Sequence, residues 1–178
     1  MPKSDLESLI RMSGAEHASA EVQLGIGDLY RSGEGVRKNY TEAVRLYRMA
    51  AAQGNADAMN NLGVSYSSGL GVRQDFAEAV RLYRMAADHG SADGMNSLGY
   101  RYKNGQGVEK DEAEAVRWYR KAAELGDAAA QNNLGTGYDM GQGVEKDEAE
   151  AEKWFRKAAD QGYPPAQRNL SRLHGIPA

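Results

Sequence analysis

The chain has no cysteine, four prolines and two phenylalanines in 178 residues. Without cysteine there can be no disulfide, no thiolate nucleophile and no zinc–thiolate centre. An excess of one charge is missing too: 22 Lys and Arg meet 25 Asp and Glu, a formal net charge of −3. Residues 1–54 and 55–108 are balanced and 109–160 is acidic, so no basic stripe speaks for nucleic acid or an anionic membrane. No stretch approaches the ~20 apolar residues of a membrane span. Residues 1–15 also lack the apolar run of about seven that a signal peptide needs. The expected setting is therefore the cytoplasm, or the periplasm where a leader has been removed. With 41% hydrophobic residues the chain can still bury a core, which excludes wholesale disorder.

Glycine is the residue in excess, 21 of 178, about 12% against a usual ~7%. Its spacing is regular. Gly27, Gly63, Gly99 and Gly135 lie 36 residues apart, as do Gly33, Gly69, Gly105 and Gly141. Two further phases, Gly35/Gly71/Gly107/Gly143 and Gly54/Gly90/Gly126/Gly162, bring the total to sixteen glycines in one period. A period of this length marks an array in which each unit stacks on its neighbours.

Each unit reads as two helices. In the second, Ala58, Leu62 and Tyr66 fall on one face of a helix predicted over Asn55 to Ser68. Gly63 lies on that face, where glycine costs about 1 kcal/mol relative to alanine, so its recurrence predicts close helix–helix approach. Gly69 and Gly71 then form a turn, since each lacks the strand and the Lys–Ser/Thr context of a phosphate loop. Asp75 and Glu78 resemble a capping box, repeated as Asn39/Glu42, Asp111/Glu114 and Asp147/Glu150. The second helix runs to about Asp88 with Ala79, Leu82, Tyr83, Ala86 and Ala87 buried, and Gly90 ends it as the left-handed residue. The expected class is all-α, with four 36-residue units at 19–54, 55–90, 91–126 and 127–162. A cap helix at 1–18 carries the box Ser4 to Glu7 with Leu6, Leu9 and Ile10, and a half-repeat cap occupies 163–178.

Read through the third repeat, the pattern is Leu98-Gly99, Tyr102, Gly105, Gly107-Val108, Asp111, Glu114-Ala115, Trp118-Tyr119, Ala122-Ala123 and Gly126. It resembles the Sel1-like repeat, a relative of the tetratricopeptide repeat. Gly94 departs from the Ala58 and Ala130 of its neighbours, and Leu46 and Leu82 replace the tryptophan as an aliphatic core exchange. The resemblance implies a right-handed α/α superhelical solenoid whose concave groove binds other proteins, in adaptors that are often bacterial. A cysteine-rich branch has β-lactam binding or hydrolysis ascribed to it; its cysteines are absent here, so that activity cannot be carried over by motif.

Little else has the makings of chemistry. His17 and His89 stand two repeats apart in one phase, which suits solvated or helix-C-terminal histidines, and His174 occupies the Tyr66 phase. The acids at 111–114 and 147–150 sit in helix first turns, where they offset the dipole, and their spacing is not that of a calcium loop. No cofactor or metal is expected. Asn39 and Asn169 open glycosylation sequons, though Asn39 reads better as a cap.

If the first helix of each pair lines the groove, the positions near 57, 60, 64 and 67 face a partner. They are Asp28 and Arg31 in the first repeat, after Glu21 and Leu24; Asp57, Asn60, Val64 and Ser67 in the second; and Asp93, Asn96, Tyr100 and Lys103 in the third. The fourth gives Ala129, Asn132, Thr136 and Asp139, and Arg168 and Arg172 follow in the cap. Asn60, Asn96 and Asn132 form a ladder that suits the backbone of an extended peptide. The same ladder also suits structural bonds to a neighbouring loop through Asn61, Asn133 and Asn169. The expected function is thus a non-catalytic, monomeric scaffold for a protein or peptide. Family analogy alone offers an enzyme or small-ligand binder of β-lactam or peptidoglycan type, and a neutralising partner of a bacterial effector is the scaffold reading with a named client.

Overall fold

The computed structural model describes residue 14 and residues 17–175. The box Ser4 to Glu7 and the apolar Leu6, Leu9 and Ile10, expected to form a cap helix, lie outside the described residues. Among those described, the chain forms nine helices and no strand: α1 (Ala20–Ser32), α2 (Tyr40–Ala52), α3 (Ala56–Ser68), α4 (Phe76–Asp88), α5 (Ala92–Asn104), α6 (Glu112–Glu124), α7 (Ala128–Met140), α8 (Glu148–Asp160) and α9 (Pro164–Leu173). The chain divides into two compact units, residues 1–94 and 95–178, with the division inside α5.

Helix starts follow the caps read from the sequence. Asn55 accepts from the Ala58 amide at 2.8 Å and Asp75 from the Glu78 amide at 3.0 Å. The reciprocal half of the expected capping box is not made. The amide of each second-helix cap instead donates to a tyrosine carbonyl nine residues back: Asn39 to Tyr30, Asp75 to Tyr66, Asp111 to Tyr102 and Asp147 to Tyr138, at 2.9–3.0 Å. With that donor taken, the glutamate turns outward. Glu42, Glu78 and Glu114 pair with Arg45, Arg81 and Arg117, three residues on. The Arg81 guanidinium holds the Glu78 carboxyl below its ordinary value, against a smaller upward push from burial.

Two glycine phases have steric jobs. A Cβ on Gly63 would sit 2.7 Å from the Tyr83 ring, and one on Gly27, Gly99 or Gly135 would meet Tyr47, Tyr119 or Phe155 at 2.6–2.8 Å. The mid-helix glycine thus admits the aromatic ring of its own repeat's second helix. Gly71 (φ 78°) and Gly143 (φ 71°) place the inter-helix turn against the preceding repeat. A Cβ there would overlap the Tyr40 and Glu112 carbonyls at the starts of α2 and α6. Gly94, the departure from the repeat pattern, has the same kind of cause, since a Cβ would lie 2.6 Å from that of Ala86.

The core of the first unit joins Ile26 and Tyr30 of α1, Leu46 and Tyr47 of α2, Leu62 of α3 and Leu82 of α4, with Val36 of the first turn fully enclosed. Ala79, Tyr83, Ala86 and Ala87 are buried as expected. In the second unit the corresponding enclosed residues are Leu98, Tyr119, Leu134, Phe155 and Ala166. Each second helix is therefore anchored, and each first helix presents its remaining side to what lies outside the core.

Candidate functional site: the first-helix face

First helices of successive repeats lie side by side within each unit, tied by amides. Asn61 of α3 donates to Asp28 Oδ1 of α1 at 3.3 Å. Asn133 of α7 donates to the Asn96 carboxamide oxygen of α5 at 2.9 Å, and Asn169 of α9 to that of Asn132 at 2.8 Å. Asn61, Asn133 and Asn169 thus each reach a side chain on the neighbouring first helix, rather than a loop. Asn60 and Asn132 are each 8% exposed. The Asn96 and Asn132 oxygens are already engaged within the fold.

Other track residues are open. In the first unit Asp57 is exposed, Val64 is 40% exposed and Ser67 is buried. Glu21 is exposed, while Leu24 packs against the core cluster. In the second unit Tyr100 is 48% exposed, with the Arg101 guanidinium 4.9 Å from its ring centroid. Lys103 is half-buried and lines a cavity of about 10 Å³ with Tyr119, Asn133 and Gln142. Thr136 donates its hydroxyl to the Asn132 backbone carbonyl at 2.9 Å. Asp139 forms an ion pair with Arg172 of α9, and Arg168 is exposed.

The structure gathers one polar cluster that the repeat pattern did not point to. Tyr47 of α2 passes beside Gly27 and donates its hydroxyl to Asp28 Oδ1 at 2.8 Å. Arg31 Nε donates to the same hydroxyl at 3.1 Å and to Asp28 at 3.3 Å. Burial and the Asp28 carboxylate together push the Tyr47 phenol well above its ordinary range, so it remains a neutral donor. The available signal was the residue type: this phase is Tyr47, Tyr83, Tyr119 and then Phe155, and an enclosed tyrosine needs a partner for its hydroxyl.

Within the first unit two open hollows, of about 600 and 300 Å³, share Arg48 of α2 and Tyr66 of α3. Arg48 donates to the Tyr66 hydroxyl at 2.9 Å. His89 lies at the end of α4, its Nδ1 3.0 Å from the Met85 carbonyl, and His174 meets Glu152 at 3.1 Å. Among the described residues no three His, Asp or Glu side chains are grouped to hold a metal. No described helix is long and apolar enough to cross a membrane.

The model of the Sel1 repeat matches residues 18–55, 56–91, 92–127 and 128–163. Among solved structures, a protective antigen of uropathogenic Escherichia coli strains with an SLR fold is 40% identical, at a TM-score of 0.79. It is matched over 88% of this chain and 34% of its own. A Sel1 repeat protein from Oxalobacter formigenes is 37% identical at a TM-score of 0.81, over 86% of this chain and 63% of its own. Cysteine-rich protein B of Helicobacter pylori is 29% identical at a TM-score of 0.61, over 78% of this chain and 99% of its own. The chain thus spans less than two thirds of the first two of these proteins. No curated protein matches it.

Proposed function

Because the chain belongs to the Sel1 repeat family, whose members commonly serve as protein-interaction scaffolds, we propose that it is a non-catalytic scaffold holding a protein or peptide on its first-helix face. One observation carries this reading. The phase 28, 64, 100, 136 lies off the buried Ala58–Leu62 stripe, and there Val64 and Tyr100 remain 40% and 48% exposed within first helices, as does Val22 at 49%, whereas the other open apolar side chains, Leu70, Leu125 and Met140, lie at helix ends and turns. A tyrosine left open on a rigid frame is a common anchor of a protein interface. Asp57 of α3 and Arg168 of α9 are exposed polar residues of the same sequence track.

Val64→Asp with Tyr100→Ala tests the reading better than any ladder substitution, because Asn96 also holds Asn133. The immobilised double variant should retain helicity and lose captured partner at least tenfold, the effect of removing about 1.4 kcal/mol of binding. Unchanged capture by the folded variant removes this face from the site. Sustained turnover of a β-lactam or peptidoglycan fragment by the purified protein would overturn the non-catalytic reading.

A further inference from the structure

Arg31 is held by one nitrogen and open at two. Its Nε is tied to the Tyr47 hydroxyl and to Asp28, while its two terminal amino groups have no partner among the described residues. The side chain is 53% exposed. A guanidinium oriented in this way presents a planar pair of N–H donors, the counterpart of a carboxylate's two oxygens.

The repeat frame shows what is missing there. In the second unit, Asp139 near the end of α7 is matched by Arg172 of α9, 33 residues on. Three repeats earlier the same two positions are Arg31 and Val64. Asn61 to Asp28 spans the same 33-residue offset one turn away, so α1 and α3 run in the register that places 64 against 31. The slot that an ion pair closes in one unit is therefore, in the other, an arginine with a half-exposed valine beside it and no counter-charge from α3.

We infer that the Arg31–Val64 slot of the first unit binds an acidic side chain, Asp or Glu, of an extended partner peptide that also carries an aliphatic residue. The inference rests on the scaffold reading and names the partner chemistry at one end of that face. Asp28 decides the ligand class. Its carboxylate brings the cluster to zero net charge, which disfavours a dianion such as a phosphoryl group relative to a singly charged carboxylate. Asp28 Oδ1 is itself filled by Tyr47, Asn61 and Arg31, so the open donors belong to Arg31.

The test uses pools of acetylated, amidated ten-residue peptides with valine beside a central Glu or a central Gln, so that a side chain is the only carboxylate. Fluorescence anisotropy on the full chain should show the Glu pool binding about tenfold tighter than the Gln pool, from two charge-assisted hydrogen bonds. Arg31→Gln should erase that preference, and Arg31→Lys, a point charge without a fork, should restore only part of it. Tyr47→Phe should weaken it severalfold by leaving Nε held by Asp28 alone, in a frame that already accepts Phe155 at this phase. Circular dichroism keeps the variants comparable. Equal binding of both pools, or none of either, overturns the inference. If capture still depends on Val64 and Tyr100, the scaffold reading survives that failure. If both tests fail, it falls too.

Discussion

The two compact units share one backbone frame and fill it differently. On the second helices of the first unit, Leu46 and Leu82 stand where the second has Trp118 and Trp154, and Met49 and Met85 where it has Lys121 and Lys157. In the first unit Arg45 and Arg81 reach the Met49 and Met85 sulfurs at 3.4 and 3.0 Å. In the second, Lys121 and Lys157 lie 4.1 and 4.3 Å from the indole centroids. A thioether and an aliphatic side chain have been exchanged together for a cation and an aromatic, so these positions vary as a pair. The first-helix track differs as well: Asp28, Arg31 and Tyr47 meet in one unit, while Phe155 lacks a hydroxyl and Arg172 closes on Asp139 in the other. The four repeated glycine phases do not differ. What is common makes the fold, and what differs is available for specificity.

The largest effects should come from the common frame. Gly71→Ala and Gly143→Ala each force a positive φ on a Cβ and drive it into a carbonyl of the preceding repeat. Each should cost roughly 2–4 kcal/mol. Hydrogen exchange should show protection falling first around 40–47 in one variant and 112–119 in the other. Unequal costs would mean that the units do not use this turn in the same way.

A smaller effect should follow from giving the second unit the contents of the first. Trp154→Leu removes the indole donor to Glu150 and the surface under Lys157, and should cost roughly 1–3 kcal/mol. Lys157→Met should be nearly neutral in the leucine background and harmful in the tryptophan one. A double-mutant cycle by chemical denaturation should return a coupling of about 0.5–1 kcal/mol. Zero coupling would make the paired exchange accidental.

The fold was legible because glycine appears wherever the backbone allows nothing larger. Gly63 predicted a close helix contact that proves to be the Tyr83 ring, Gly69 a turn found at φ 69°, and Gly90 a left-handed helix end found at φ 84°. The capping boxes misled in one half. Asp75 and Glu78 have the right types and spacing, but the Asp75 amide is consumed by Tyr66, a bond between two helices that local spacing does not contain. The first-helix face was legible in outline only. Periodicity set Ala58 and Leu62 inward, yet it did not distinguish buried Asn60 from exposed Val64 on the remaining side. Tyr47 shares the phase of Tyr83, expected in the core, and its ring belongs there while its hydroxyl lies against Asp28.

The central claim, that a partner lies along the first helices, is tested most directly by a photocrosslinking side chain placed at one position at a time. The track positions are 64 and 100, and the control is 117 on α6, where the Arg117 side chain is 75% exposed. The account predicts partner adducts from 64 and 100 and none from 117. Adducts from 117 alone would contradict it, and would move recognition to the second helices.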